Sequence, residues 1–164
     1  MNKKVWLITG VSSGFGYELT KQLLEKGEIV VGTVRNDKNV QTFMKQYPNT
    51  FFRQFLDVTD VSAVEEVVKK IDEKLGRIDV VISNAGYGLF GAAEELTNSE
   101  IDQIIATNLT GSIQLIRSVL PIMRRQKYGR IIQVSSYGGQ VAFAGNSMYH
   151  ATKWGIEGFV ESVA

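Results

Sequence analysis

Five short runs of β-branched and aromatic residues punctuate the chain: KVWLIT at 4–9, EIVVGTV at 28–34, FFRQFLD at 51–57, IDVVIS at 78–83 and RIIQVS at 130–135. Their length and composition predict strands. Between them the apolar residues fall three or four apart: Leu19, Leu23 and Leu24; then Val61, Val64, Val67, Val68 and Ile71; then Ile101, Ile104 and Ile105, continuing to Met123. That spacing draws one apolar stripe along a helix. Strands alternating with helices predict an α/β fold with a doubly wound parallel sheet and helices on both faces. A parallel crossover must travel back across the sheet before the next strand can pair.

With 164 residues and 44% hydrophobic content, the chain is expected to form a single domain over 1–164. Its 18 basic and 17 acidic residues are interspersed. They leave no broad electrostatic footprint for nucleic acid or an anionic membrane, so the expected partner is a small molecule. The densest basic cluster is Arg124, Arg125, Lys127 and Arg130, where the long helical pattern is expected to end at Gly129. It reads as a solvated helix terminus. The absence of cysteine removes disulfides, thiolate metal sites and cysteine nucleophiles, and no metal site is expected. VWLI, after Lys3 and Lys4, is too short for a signal-peptide core, and no segment reaches the length of a membrane span. A soluble, cytoplasmic protein is the expectation.

After the first strand comes TGVSSGFG, with Thr9 followed by glycines at 10, 14 and 16 and with Ser12, Ser13 and Phe15 between them. Glycine lets a backbone turn tightly against a pyrophosphate, and the following helix offers unpaired N–H groups and a positive dipole end. A tight loop without a ligand would look the same. Gly10, Ser12 and Gly14 also spell the nucleophile elbow of serine hydrolases, which would need the only histidine, His150, as its base. At the end of the second strand Val34 is followed by Arg35, where an acidic residue would bind the ribose hydroxyl of NAD. An arginine there can pair with a 2′-phosphate, which favours NADP over NAD.

Tyr149 and Lys153 lie four residues apart and so share one helix face. An ammonium beside a phenol favours loss of the phenol proton, which suits a general acid/base for an alcohol or carbonyl. Ser136 follows the fifth strand, and SNAG (83–86) ends the fourth, both at carboxyl ends where parallel sheets bind ligands. Asn108 interrupts an apolar helix face and reads either as a site residue or as a core amide. Asp57 closes the third strand, where its carboxylate could meet an adenine amino group or cap the next helix.

These residues together resemble the short-chain dehydrogenase/reductase family, in its subgroup with T-G-x-x-x-G-x-G and Y-x-x-x-K. The resemblance runs from Lys4 to Ala164 and rests on Gly10, Gly14, Gly16, Asp57, Asn84, Ala85, Gly86, Asn108, Ser136, Tyr149 and Lys153. It implies a Rossmann-type NAD(P)-binding domain that moves a hydride between nicotinamide and a carbonyl or alcohol carbon. The cofactor would contact Thr9, Gly10, Ser12, Ser13, Gly14, Phe15, Gly16, Arg35, Asp57, Val58, Asn84, Ala85, Gly86, Tyr149 and Lys153, with Thr9 and Asn84 bracing the glycine turn. Tyr149 would exchange the proton and Ser136 would hold the substrate oxygen. Lys153 would bind the nicotinamide ribose and make the phenol a better acid, while Asn108 would hold a water joining Lys153 to solvent. A homo-oligomer through the helix from about Ser99 and the Tyr149 helix is implied as well.

Family members normally continue past the Y-x-x-x-K helix with a strand beside the fifth, a substrate loop and a final strand. The sequence ends at ESVA without a helix stop signal, so its C-terminal strands are expected to be missing and the fifth strand to be an exposed edge. If the chain does end there, the alternative function is a non-catalytic nucleotide-binding domain. GYGLF (86–90), Tyr137, Val141, Phe143 and Met148 form an apolar wall, which predicts a lipophilic ketone, aldehyde or alcohol. GYGLFGAAEE is similar to family members that act on steroids or retinoids.

Overall fold

The computed structural model describes residues 3–36 and 39–164. Each apolar run forms a strand: β1 (Val5–Thr9), β2 (Ile29–Val34), β3 (Phe51–Phe55), β4 (Val80–Ser83) and β5 (Arg130–Gln133). They make one parallel sheet in the order β3-β2-β1-β4-β5. The helices are α1 (Gly14–Glu25), α2 (Gln41–Gln46), α3 (Val61–Leu75), α4 (Asn98–Ile105), α5 (Gly111–Gln126) and α6 (Ser147–Val163). The chain winds outward from β1 to β3, then returns to the far side of β1 as β4. At that reversal the loops after β1 and β4 diverge and open a crevice at the carboxyl ends of the strands.

Successive strand residues face opposite layers. Leu7, Val31 and Val81 meet Val64, Val68, Leu115 and Val119 from α3 and α5, whereas Ile8, Val30 and Ile82 meet Leu23, Leu24 and Phe43 from α1 and α2. Both faces are covered, which is why β1, β2 and β4 read as unbroken apolar runs. β5 differs: Ile131 packs into the α3–α5 layer, Ile132 is exposed, and the strand is a sheet edge as expected. α6 packs beside α4 and α5.

The expected long third helix is one helical rod from Asn98 to Gln126, begun by a capping box between Thr97 and Glu100 and interrupted by a π-helical turn at Ala106–Thr110. The rod ends three residues before Gly129, because Lys127 itself takes the left-handed conformation (φ 55°). Gly129 serves packing instead: a Cβ there would lie 2.4 Å from Met123. Nor is the basic cluster simply solvated, since Arg125 pairs with Asp72 of α3 at 2.5 Å. α2 was not predicted. Its one buried residue, Phe43, sits between the Tyr17 and Phe51 rings at 4.6 and 5.4 Å. The cap of α3 is Asp60, whose carboxylate accepts from the Ala63 N–H at 3.0 Å, so Asp57 is released from that alternative. Asp79, fully buried, accepts from the Val5 N–H at 2.8 Å and pairs with Arg77, tying the start of β4 to β1.

Candidate active site

The turn between β1 and α1 needs its three glycines for two reasons. Gly10 and Gly14 have φ of 74° and 57°, a region that costs other residues about 1–2 kcal/mol. Gly16, inside α1, is required by crowding instead, for a Cβ there would lie 2.3 Å from the Gly10 carbonyl oxygen and 2.6 Å from Asn84 Nδ2. Thr9 Oγ1 accepts the N–H groups of Asn84 and Ala85, each at 3.0 Å, while Asn84 Nδ2 donates to the carbonyls of Thr9 and Gly10 at 2.9 and 3.1 Å. These are the braces the resemblance implied. Asn39 adds one that sequence reasoning missed, donating from Nδ2 to the Ser12 carbonyl at 3.1 Å. Ser13 occupies the N-cap of α1 without a side-chain cap bond, so no side chain of its own covers the first-turn N–H groups.

A crevice of about 860 Å³ runs from this turn to α6. Gly10, Ser12, Ser13, Gly14, Phe15, Arg35, Asp57, Val58, Asn84, Ala85, Gly86, Tyr149 and Lys153 all line it. Thr9, Gly16, Asn108 and Ser136 are not among its lining residues. Asp57 Oδ1 accepts from the Thr59 N–H at 3.0 Å and from its hydroxyl at 2.8 Å. Those two bonds hold the Asp57 carboxyl below the usual carboxylate range against a small opposing effect of burial, with the Arg35 charge adding to them.

At the other end α6 places Tyr149 and Lys153 on the crevice, with Lys153 Nζ 5.7 Å from the Tyr149 ring centre. Nζ donates to the Val134 carbonyl at 3.0 Å. Burial pushes the Lys153 ammonium below its ordinary value, and Glu157 partly opposes that shift. Ser136 Oγ accepts the Gly138 N–H at 3.1 Å as the cap of a 3-10 turn, Tyr137–Gly139, a bond that does not use its hydroxyl proton.

The loop bearing Ser136 is pinned to α6 by His150. Its Nδ1 lies 2.8 Å from the Gly138 carbonyl, Nε2 accepts the Phe143 N–H at 3.3 Å, and the Phe143 ring meets it edge-on at 4.6 Å. With both ring nitrogens engaged in a buried site, His150 is no base for Ser12, and the hydrolase reading fails. Asn108 sits in the π-helical turn. Its Oδ1 accepts the Tyr87 N–H at 3.0 Å, and Nδ2 donates to the Tyr87 carbonyl at 2.7 Å and to Thr152 Oγ1 at 3.4 Å. Both amide N–H groups are spent, so the side chain clamps the loop after β4 to α6.

A family model described as short chain dehydrogenase matches residues 4–164. The chain belongs to the short-chain dehydrogenase family. It is 40% identical over 95% of its length to an oxidoreductase of Botryotinia fuckeliana, BOA17. It is also 37% identical over 100% of its length to a 3-ketodihydrosphingosine reductase of Bacteroides thetaiotaomicron. The chain spans 57% and 58% of those two relatives. A short-chain dehydrogenase from Streptomyces avermitilis superposes with a TM-score of 0.96 at 37% identity, over 100% of this chain and 60% of that one. ElxO with NADP bound superposes at 0.88 with 29% identity, over 96% and 65%.

Members of the short-chain dehydrogenase family are NAD(P)-binding oxidoreductases on small molecules. The glycine turn fits such a cofactor, with positive φ at two positions, no room for a side chain at a third and an uncapped helix start beside the crevice. Among the described residues no cluster of metal ligands occurs and no helix is long and apolar enough to cross a membrane.

Proposed function

We propose that this chain carries the cofactor-binding and proton-transfer parts of an NADP-dependent oxidoreductase that interconverts a lipophilic carbonyl compound and its alcohol. The observation that carries the proposal is that Tyr149 and Lys153 line the same crevice as a glycine turn more than a hundred residues away in sequence. Gly10, Ser12, Ser13, Gly14, Phe15, Gly16 and Asn84–Gly86 would hold the dinucleotide, Asp57 and Val58 its adenine, and Arg35 a 2′-phosphate. The chemistry it supplies is hydride transfer to or from the substrate carbon. In reduction, Tyr149 Oη gives its proton to the substrate oxygen, and the Ser136 hydroxyl donates a hydrogen bond to the same oxygen. Lys153, anchored on the Val134 carbonyl, has two further N–H donors for ribose hydroxyls, and its charge stabilises the phenolate that remains. Asn108 keeps the loop after β4 in register with α6.

The lipophilic substrate is supported by Phe90, Tyr137 and Phe143, which are 75%, 73% and 55% exposed. They lie on two loops joined by the Gly91 N–H to Gly145 carbonyl bond, 3.0 Å long. One relative is named as a 3-ketodihydrosphingosine reductase. We place the protein in the cytoplasm as a homo-oligomer, with the exposed Trp154 on α6 a contact for a second copy. Tyr149→Phe, assayed with NADPH and lipophilic ketones and aldehydes, tests the assignment. Retained cofactor binding with lost turnover supports it, and undiminished turnover overturns it.

A further inference from the structure

We infer that His150 is a positioning residue whose two ring nitrogens serve two tasks: Nδ1 sets the Ser136 hydroxyl through Gly138, and Nε2 sets Phe143 on the substrate wall. The inference rests on the reading of Tyr149, Ser136 and the lipophilic substrate given above. His150 is the only histidine in the chain and is 4% exposed. It follows Tyr149 on α6, so whatever its ring grips is fixed relative to the proton donor.

A carbonyl oxygen only accepts and a backbone N–H only donates, so the two contacts dictate where the ring proton sits. Nδ1, 2.8 Å from the Gly138 carbonyl oxygen, carries the hydrogen; Nε2, 3.3 Å from the Phe143 nitrogen, is the bare acceptor. The ring is thereby held as the neutral Nδ1–H tautomer. The Gly138 N–H in turn donates to Ser136 Oγ at 3.1 Å, so a single residue joins the imidazole to the hydroxyl that meets the substrate oxygen. Gly138 makes room for this contact, since a Cβ there would lie 2.7 Å from His150 Nδ1 and 3.2 Å from a Tyr149 ring carbon. On the other side the Phe143 ring stands edge-on to the imidazole, its centre 4.6 Å away, while remaining half-exposed. Its loop is joined to the Phe90 loop through the Gly91 N–H and the Gly145 carbonyl. Buried and absent from the crevice lining, His150 acts through Ser136 and Phe143 rather than on the substrate.

Heteronuclear NMR of the nitrogen-labelled histidine ring in mildly alkaline buffer, its signal assigned by loss in His150→Gln, reads the tautomer without any substrate. Hydrogen on Nδ1 and a bare Nε2 are expected, and a proton on Nε2 overturns the inference. Two variants then separate the two bonds. An asparagine amide places an N–H near the site of Nδ1, so His150→Asn keeps the Gly138 bond and loses the one from Phe143. Its kcat stays near the parent's while KM for lipophilic ketones rises roughly two- to tenfold, the effect of one neutral hydrogen bond. Glutamine reaches the site of Nε2, so His150→Gln does the reverse: kcat falls by a similar factor and KM stays. The same pattern of change in both variants overturns the inference. NADPH affinity near the parent's in each separates a local effect from lost folding, and where a variant does lose its fold the tautomer of the parent still decides. Turnover retained in Tyr149→Phe would instead sink the proton-transfer reading. An inactive Tyr149→Phe beside a ring protonated on Nε2 removes only the role of His150.

Discussion

At the glycine-turn end of the crevice β1 lies between β2 and β4, and the turn is shaped by bonds to backbone: Thr9 and Asn84 reach across β1 and β4, and the Thr33 carbonyl takes the N–H groups of Gly10 and Val11. At the Tyr149 end β5 is an edge strand, and the loop that follows it hangs from α6 through the His150 ring and the packing around Gly138 and Gly139. The first end resists change in backbone shape. The second depends on a handful of side chains.

That contrast can be broken first at Tyr149. Tyr149→Phe lowers turnover by roughly a hundred- to ten-thousandfold and leaves the cofactor dissociation constant near the parent's, as equilibrium binding and steady-state rates will read. Gly16→Val attacks the backbone-shaped end. The overlap with the Gly10 carbonyl costs about 1–3 kcal/mol of stability and weakens NADPH and NADH alike, measurable by thermal melts and cofactor titration. Arg35→Ala weakens NADPH by roughly tenfold or more while sparing NADH, because one charge-assisted contact to a 2′-phosphate is lost. Equal losses for both cofactors would refute that role. His150→Ala leaves the glycine turn intact and loosens the Ser136 loop, lowering kcat several-fold with little change in cofactor affinity. Parallel losses in both would mean that the two ends are one unit.

Much of this architecture was legible because its signals are local. A fully covered parallel strand must be apolar on both faces, so 5–9, 29–34 and 80–83 announce themselves. A turn that needs positive φ must use glycine, so Gly10 and Gly14 stand out, and residues four apart on a helix must share a face, as Tyr149 and Lys153 do. Other features left no such mark. α2 is six residues long with one buried side chain, too short for a period to show. Gly129 looked like a helix stop, although Lys127 ends the helix and Gly129 makes room for Met123. Asp57 and Asp60 are equally plausible caps in one dimension, and only the bond to Ala63 separates them.

The sequence by itself determined the five strands and the longer helices between them, the glycine turn, and the pairing of Tyr149 with Lys153, since each follows from residues within a turn or two of one another. Only the tertiary structure decided that α6 closes on the crevice opened by α1, that His150 is a strut rather than a base, that Asn108 clamps Tyr87 to α6, and that Glu157 lies against the loop at Gly139. Those assignments depend on which distant segments share a hydrogen bond or exclude water from the same charge. Packing sets that, and local pattern carries no information about it.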